Sequence, residues 1–111
     1  MIPALNEELT IEPVLAAAQR LTDDLVVVDG RSTDGTVELA KRYGARVVTD
    51  NGVGKGDAIR VGLDNVAHPI TVFIDADGSH DPNDIERLVA PIAQGEADLV
   101  MGCLLYTSRC V

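Results

Sequence analysis

Four short apolar runs punctuate the chain: LVVV at 25–28, RVV at 46–48, ITVFI at 70–74 and ADLVM at 97–101. They are rich in β-branched residues and lack polar alternation, the pattern of strands covered on both faces. Between them the apolar positions change to a helical spacing. Thr10 is placed to cap a helix over 11–20, with Pro13 tolerated in its first turn. Val37, Ala40 and Tyr43 share one helical face, closed by Gly44 as a C-cap. Ala58, Ile59, Gly62, Leu63 and Val66 make another stripe. Asp81 and Pro82 read as the cap and first residue of a helix carrying Ile85, Leu88, Val89 and Ile92 on one face. Pro91 would kink that helix and Gly95 would end it.

Strands alternating with helices predict an α/β fold: a doubly wound, mostly parallel sheet with helices on both faces. Ligands of such sheets bind beyond the carboxyl ends of the strands. That rule nominates the stretches after residue 5, after Val28 and after Ile74. The length of 111 residues suits one domain, assigned to 1–102. Met1-Ile2-Pro3 is short for the strand needed to seat the helix at 11–20. Residues 103–111 show neither period and read as a truncated or foreign end.

Composition narrows the function. Aromatics are 3% and Trp is absent, so Val, Ile, Leu and Ala must build the core. The net charge of -9 argues against nucleic-acid binding, because that overall field repels a phosphate backbone. A nucleotide accompanied by a divalent cation remains compatible, since the cation carries positive charge locally. Two cysteines, Cys103 and Cys110, lie in the irregular tail and imply neither a metal site nor a nucleophile. No signal peptide is visible and no apolar run approaches the roughly 18 residues that cross a bilayer. A cytoplasmic setting is therefore expected, at the cytoplasmic face of a membrane if a longer parent carries a membrane segment.

The sharpest chemical feature is Asp75-Ala76-Asp77, at the end of an apolar run and before Gly78-Ser79-His80. Two carboxylates two residues apart at a strand end can converge on one hard cation, Mg²⁺ or Mn²⁺. Such a cation neutralises the charge developing on a diphosphate leaving group. A bare D-x-D is common, and its bland reading is a solvated polar turn. In Asp29-Gly30-Arg31-Ser32-Thr33-Asp34-Gly35-Thr36, Asp29 suits a nucleobase or ribose as well as it suits a turn. Thr33 or Asp34 is better read as a helix cap. In Asn51-Gly52-Val53-Gly54-Lys55-Gly56-Asp57, three glycines permit close backbone approach and Lys55 offers one cation to a phosphate. A flexible loop explains that stretch equally well, and it matches neither G-x-x-x-x-G-K-[ST] nor G-x-G-x-x-G. His80 is within reach of a metal or phosphate, though a loop histidine is more often a surface residue. Asn6-Glu7-Glu8 follows the first strand, which puts its groups within reach of a nucleotide; the bland reading is a helix-entry turn, and for Glu8 that reading is the better one.

Taken in order, I-P-A-L-N-E-E at 2–8, V-V-V-D-G-R-S-T-D-G-T at 26–36, G-K-G-D-A-I-R-V-G-L at 54–63 and F-I-D-A-D-G-S-H-D-P at 73–82 resemble the family 2 inverting glycosyltransferases of GT-A fold. The flavour is that of the polyprenyl-phosphate (dolichol-phosphate type) sugar synthases. The resemblance covers residues 2–102 and implies a Rossmann-like nucleotide-binding half. It places Pro3, Ala4 and Glu8 around the nucleotide and Asp29 at the base. Lys55 would line the base and phosphate region, Asp75 would lie near ribose and metal, and Asp77 would be the main metal ligand. The implied reaction moves a sugar from a nucleoside-diphosphate sugar to an acceptor, a polyprenyl phosphate in the resembled group, with inversion.

The sequence departs from the family pattern at Gly30, where a second Asp is usual, and at Arg31, where Gly is usual. The family's acceptor half and its general base are absent from these residues. The chain alone is therefore expected to bind donor weakly and turn over little. Two other readings compete. A non-catalytic fragment fits the irregular ends. A receiver-type signalling module would need a lysine on a strand after its phospho-accepting Asp75, and the chain's lysines, Lys41 and Lys55, both precede it.

Overall fold

The computed structural model describes residues 1–66 and 68–97. Its strands are β1 (Ile2–Ala4), β2 (Val26–Asp29) and β3 (Arg46–Thr49). They form one parallel sheet in the order β1-β2-β3, with Ile2 opposite Val27 and Val27 opposite Val47. Four helices follow the strands: α1 (Ile11–Gln19), α2 (Thr36–Arg42), α3 (Lys55–Asp64) and α4 (Ile85–Ala93). The expected strand at 97–101 and the tail at 103–111 extend beyond the described residues.

Strand β2 is the centre of the sheet and all four of its residues are buried. Its side chains alternate between two cores, as the pleat requires. Val27 joins Ile2, Ile11, Val14, Leu15, Ala18 and Ala40 under α1 and α2. Val26 and Val28 join Ala58, with Met1, Val48 and Val61 packed around them, under α3. Helices thus cover both faces of a parallel sheet, the fold class expected from the sequence.

Three local expectations are corrected. Helix α3 buries Ala58 and Gly62, with Val61 packed beside them, while Leu63 is exposed. The face turned to the sheet is the one carrying Ala58, Val61 and Gly62, and Leu63 falls outside it. Thr10 stands at the start of α1 without capping it; its hydroxyl donates to the Ala76 carbonyl at 2.9 Å. Helix α2 is preceded by Gly35 at the cap position, and Asp34 instead accepts from the Thr36 N–H one residue further on.

The apolar run at 70–74 is the fourth correction, since it is not a regular strand. The Met1 amino group donates to the Val72 carbonyl at 2.7 Å, and the Ile74 N–H donates to the Met1 carbonyl at 3.2 Å. These two bonds flank Phe73 in the parallel-ladder pattern. The next donor on that side of β1 would be residue 3. Pro3 has no N–H, so the ladder stops. The segment therefore lies in the place of a fourth strand yet leaves the sheet early, and residues 76–78 turn.

Two helix ends behave as read. After α2, Gly44 adopts φ +80°, the Gly44 N–H donates to Lys41 and the Ala45 N–H to Ala40. After α4, Gly95 adopts φ +77°, with the Gly95 N–H on Ile92 and the Glu96 N–H on Pro91. Both are Schellman stops, where a left-handed residue lets two N–H groups satisfy the last carbonyls. The start of α4 is preceded by a 3₁₀ turn over Pro82–Asp84, so Asp81 and Pro82 open that turn rather than the α-helix.

Candidate functional site

The carboxyl ends of the three strands and the turn at 75–77 surround one pocket of about 310 Å³. Pro3, Ala4, Lys55, Asp75 and Asp77 all line it, so five of the seven residues singled out from sequence come together. Gly30, Gly52 and Gly54 also border it, together with Glu7 and Asp50.

The floor is built by close backbone approach. The Gly30 N–H donates to the Ala4 carbonyl at 2.7 Å. A Cβ at Gly30 would lie 3.2 Å from Leu5 Cβ and 3.4 Å from the Ala4 oxygen. The β3–α3 loop is shaped by its own carboxylates. Asp50, buried, accepts from the Gly52 N–H at 2.8 Å. Asp57 accepts from the Asn51 N–H at 2.7 Å and from Asn51 Nδ2 at 2.9 Å. Gly54 then turns at φ +109°, a conformation closed to most L-residues, and delivers Lys55 as the first residue of α3.

Lys55 Nζ lies 2.9 Å from Asp75 Oδ1. His80 completes the surroundings of Asp75: its Nδ1 accepts from the Asp75 N–H at 3.1 Å, and its Nε2 lies 3.6 Å from Oδ2. Asp77 is exposed, and its Oδ1 accepts from the Ser79 N–H at 2.9 Å. Hydrogen bonding from the Ser79 side chain, then from its backbone, holds the Asp77 carboxyl below the usual carboxylate range. It is therefore ionised at neutral pH and available to a cation.

The pocket sets four carboxylates, Glu7, Asp50, Asp75 and Asp77, against the single ammonium of Lys55. An anionic ligand entering it alone meets a repulsive field. A divalent cation reverses that sign locally. Among the described residues no three His, Cys, Asp or Glu side chains form a ready-made metal cage. Asp75 and Asp77 fit instead a hard cation that takes its remaining oxygens from a ligand or from water.

Glu8 and Asp29 do not line the pocket. Asp29 is buried and accepts from the Arg31 and Ser32 N–H groups, each at 3.1 Å from Oδ2. Glu8 accepts from the Gly35 N–H at 2.9 Å. These bonds belong to a clamp between the β1–α1 and β2–α2 loops. Within it the Asn6 N–H donates to Ser32 Oγ, the Thr33 N–H to Asn6 Oδ1, and the Glu7 N–H to Thr36 Oγ1. The two motifs thus hold one another, and the clamp turns Glu7 rather than Glu8 toward the pocket. The Glu7 carboxylate also accepts from the Thr10 hydroxyl that reaches Ala76, linking the clamp to the Asp75–Asp77 turn.

Sequence reasoning missed Asp50, and considered Glu7 only as part of Asn6-Glu7-Glu8 without singling it out. For Asp50 a signal existed, since it follows β3 at the same strand end that nominated Asp29. For Glu7 the acid one residue further on was equally plausible.

The loop carboxylates predict an acid sensitivity. Asn51 lowers the Asp57 carboxyl below its ordinary value, side-chain hydrogen bond first, and Thr36 lowers Asp34 in the same way. A depressed folded value contributes stability that is complete above the unfolded value, about pH 4, and is lost as pH falls through the lower folded one. Asp57→Asn is expected to flatten the fall of the melting temperature as pH drops below about 4. An acid limb identical to that of the parent chain would show that Asp57 contributes nothing there.

Known proteins are similar to this chain in sequence and in fold. Residues 1–111 match glycosyl transferase family 2. An uncharacterized glycosyltransferase of Mycobacterium tuberculosis (strain H37Rv) is 45% identical over 102 residues, which covers 92% of this chain and 46% of that protein. The glucosyl-3-phosphoglycerate synthase of M. tuberculosis in complex with uridine diphosphate superposes with a TM-score of 0.77 at 39% identity, covering 86% of this chain and 39% of that one. The same synthase in complex with Mn²⁺, uridine-diphosphate-glucose and phosphoglyceric acid gives a TM-score of 0.76 at 39% identity, over 86% of this chain and 38% of that one. The chain spans less than half the length of these relatives.

Proposed function

The chain belongs to glycosyl transferase family 2, and we propose that it forms the donor-binding half of an enzyme that transfers a sugar from a uridine-diphosphate sugar. The observation that carries this reading is the pocket itself. Four carboxylates, one lysine and a glycine-lined floor meet at the carboxyl ends of parallel strands, where nucleotides bind in such sheets.

In this reading Asp77 and Asp75 hold a divalent cation, Mn²⁺ as in the synthase relative, or Mg²⁺ of the same hard class. The cation supplies charge neutralisation for the departing diphosphate. Lys55 adds one positive charge at the phosphates when it leaves Asp75. Glu7 offers a carboxylate acceptor to the ribose hydroxyls, and Asp50 offers one at the β3 end. Pro3, Ala4 and Gly30 form the wall against which the nucleotide lies. Asp29 and Glu8 act from behind, by holding the loops that carry Gly30 and Glu7.

Among the described residues we assign none the role of general base toward the attacking hydroxyl. The resembled group implies a polyprenyl phosphate acceptor, whereas the synthase relative was solved with phosphoglyceric acid. The group common to both is a phosphate, and we assign the acceptor no finer class. Among the described residues no helix is long and apolar enough to cross a membrane.

Titration calorimetry tests the donor site. UDP is expected to bind the chain in the presence of Mn²⁺, at least tenfold more tightly than without it and more tightly than GDP. UDP affinity that is indifferent to Mn²⁺ would remove the metal from the proposal, and failure to bind any nucleotide would remove the donor site.

A further inference from the structure

Arg31 stands in a conformation that its side chain disfavours. Its φ is +69°, in the left-handed region where glycine is at ease and most other residues are strained. The Asp29 carboxylate holds it there by accepting from its N–H. The side chain then crosses from the end of β2 to the β3–α3 loop. A Cβ at Gly52 would lie 3.2 Å from Arg31 Nε and 3.3 Å from Cδ, so the arginine stem occupies the space above that glycine. Both Gly30, beside Arg31 in sequence, and Gly52, beneath its side chain, border the pocket.

The guanidinium itself is uncommitted. It is exposed, and no ion pair or side-chain hydrogen bond engages it among the described residues. Lys55, by contrast, is paired with Asp75. In a chain of net charge -9, an arginine held in a strained backbone beside two pocket-bordering glycines, felt by the Asp57 carboxylate at longer range yet in ion-pair contact with none among the described residues, calls for a ligand.

Position decides which part of the ligand. The cation and diphosphate belong at the Asp75–Asp77 end. The part of the pocket bordered by Gly30, Asp50 and Gly52 is left for the nucleobase. A planar guanidinium stacks on aromatic faces, which an ammonium does not do. We propose that Arg31 is a specificity-determining residue whose guanidinium covers the nucleobase of the bound nucleotide by stacking. This rests on the nucleotide-site reading above.

The test compares UDP with inorganic pyrophosphate, which has the phosphates and no base, each with Mn²⁺, by calorimetry on the full 111-residue chain. Arg31→Gly removes the side chain while relieving the backbone, so its melting temperature is expected to equal or exceed that of the parent. Its UDP affinity is expected to fall about tenfold, with pyrophosphate affinity unchanged. Arg31→Lys, which keeps the charge and loses the plane, is expected to bind UDP within about threefold of Arg31→Gly. Undiminished UDP binding by Arg31→Gly overturns the assignment. So does an equal loss for UDP and pyrophosphate, which would mark a general charge effect, or full UDP affinity in Arg31→Lys. If the parent chain binds neither probe, the nucleotide-site reading fails and takes this one with it.

Discussion

Asp77→Asn is expected to weaken Mn²⁺-dependent UDP binding by about 100-fold, ~2.7 kcal/mol, while leaving the fold intact. The fold is spared because Asp77 is exposed and its intramolecular bonds are local ones, from the Ser79 side chain and N–H. An asparagine carbonyl can accept the same bonds. Only the charge and the second donor oxygen are lost, and those are what a hard cation requires. Loss of an outer partner of a metal ligand typically costs 10- to 100-fold, so a direct ligand belongs at the upper end. Circular dichroism, followed by calorimetry with and without Mn²⁺, separates folding from binding. Unchanged metal-dependent affinity in a folded Asp77→Asn would refute Asp77 as a ligand. Asp75→Asn is a less clean probe, because Asp75 also pairs with Lys55 and lies beside His80.

The fold was legible where one physical requirement dominated. The uninterrupted, β-branched VVV of β2 has the composition of a strand covered on both faces, and all three valines are buried. Gly44 and Gly95 announced helix ends because a left-handed stop leaves few other choices. Legibility failed where two uses of a residue compete. Thr10 has the side chain of a cap and spends it on the Ala76 carbonyl, a partner 66 residues away. The run at 70–74 has strand composition, yet its pairing depends on a donor that Pro3 lacks. The site shows the same division. Asp75, Asp77 and Lys55 were identifiable by type and by position after strand ends. Choosing Glu7 over Glu8 needed the clamp with Ser32, Thr33, Gly35 and Thr36, which no local pattern reveals.

The clamp also explains why motifs that look catalytic contribute so much structure. Asn6, Glu8, Asp29 and Asp34 bind backbone N–H groups and so fix the two loops. The pocket is held at the carboxyl edge by polar bonds between loops, and its floor by apolar packing beneath. The two parts should fail differently, the first with pH and the second with cavity formation.

Leu15→Ala tests the second part and is expected to cost about 3 kcal/mol of unfolding free energy. Leu15 is fully buried in α1 and packs in the cluster with Ile2, Ile11, Val27 and Ala76. Truncation removes apolar area and leaves a cavity between α1 and the sheet, directly behind the Asp75–Asp77 turn. A domain of this size has roughly 5–15 kcal/mol in all, so such a loss is a large fraction. Leu63→Ala is the control. Sequence periodicity put Leu63 in the core of α3, whereas it is 48% exposed, and a surface truncation of this kind changes stability by about 0.5 kcal/mol or less. Urea unfolding of the two variants reads the difference directly. Equal midpoints would mean that the packing of α1 on the sheet does not carry the fold. A destabilised Leu63→Ala would restore the stripe read from the sequence and move α3, with Lys55 at its start, to a different rotation.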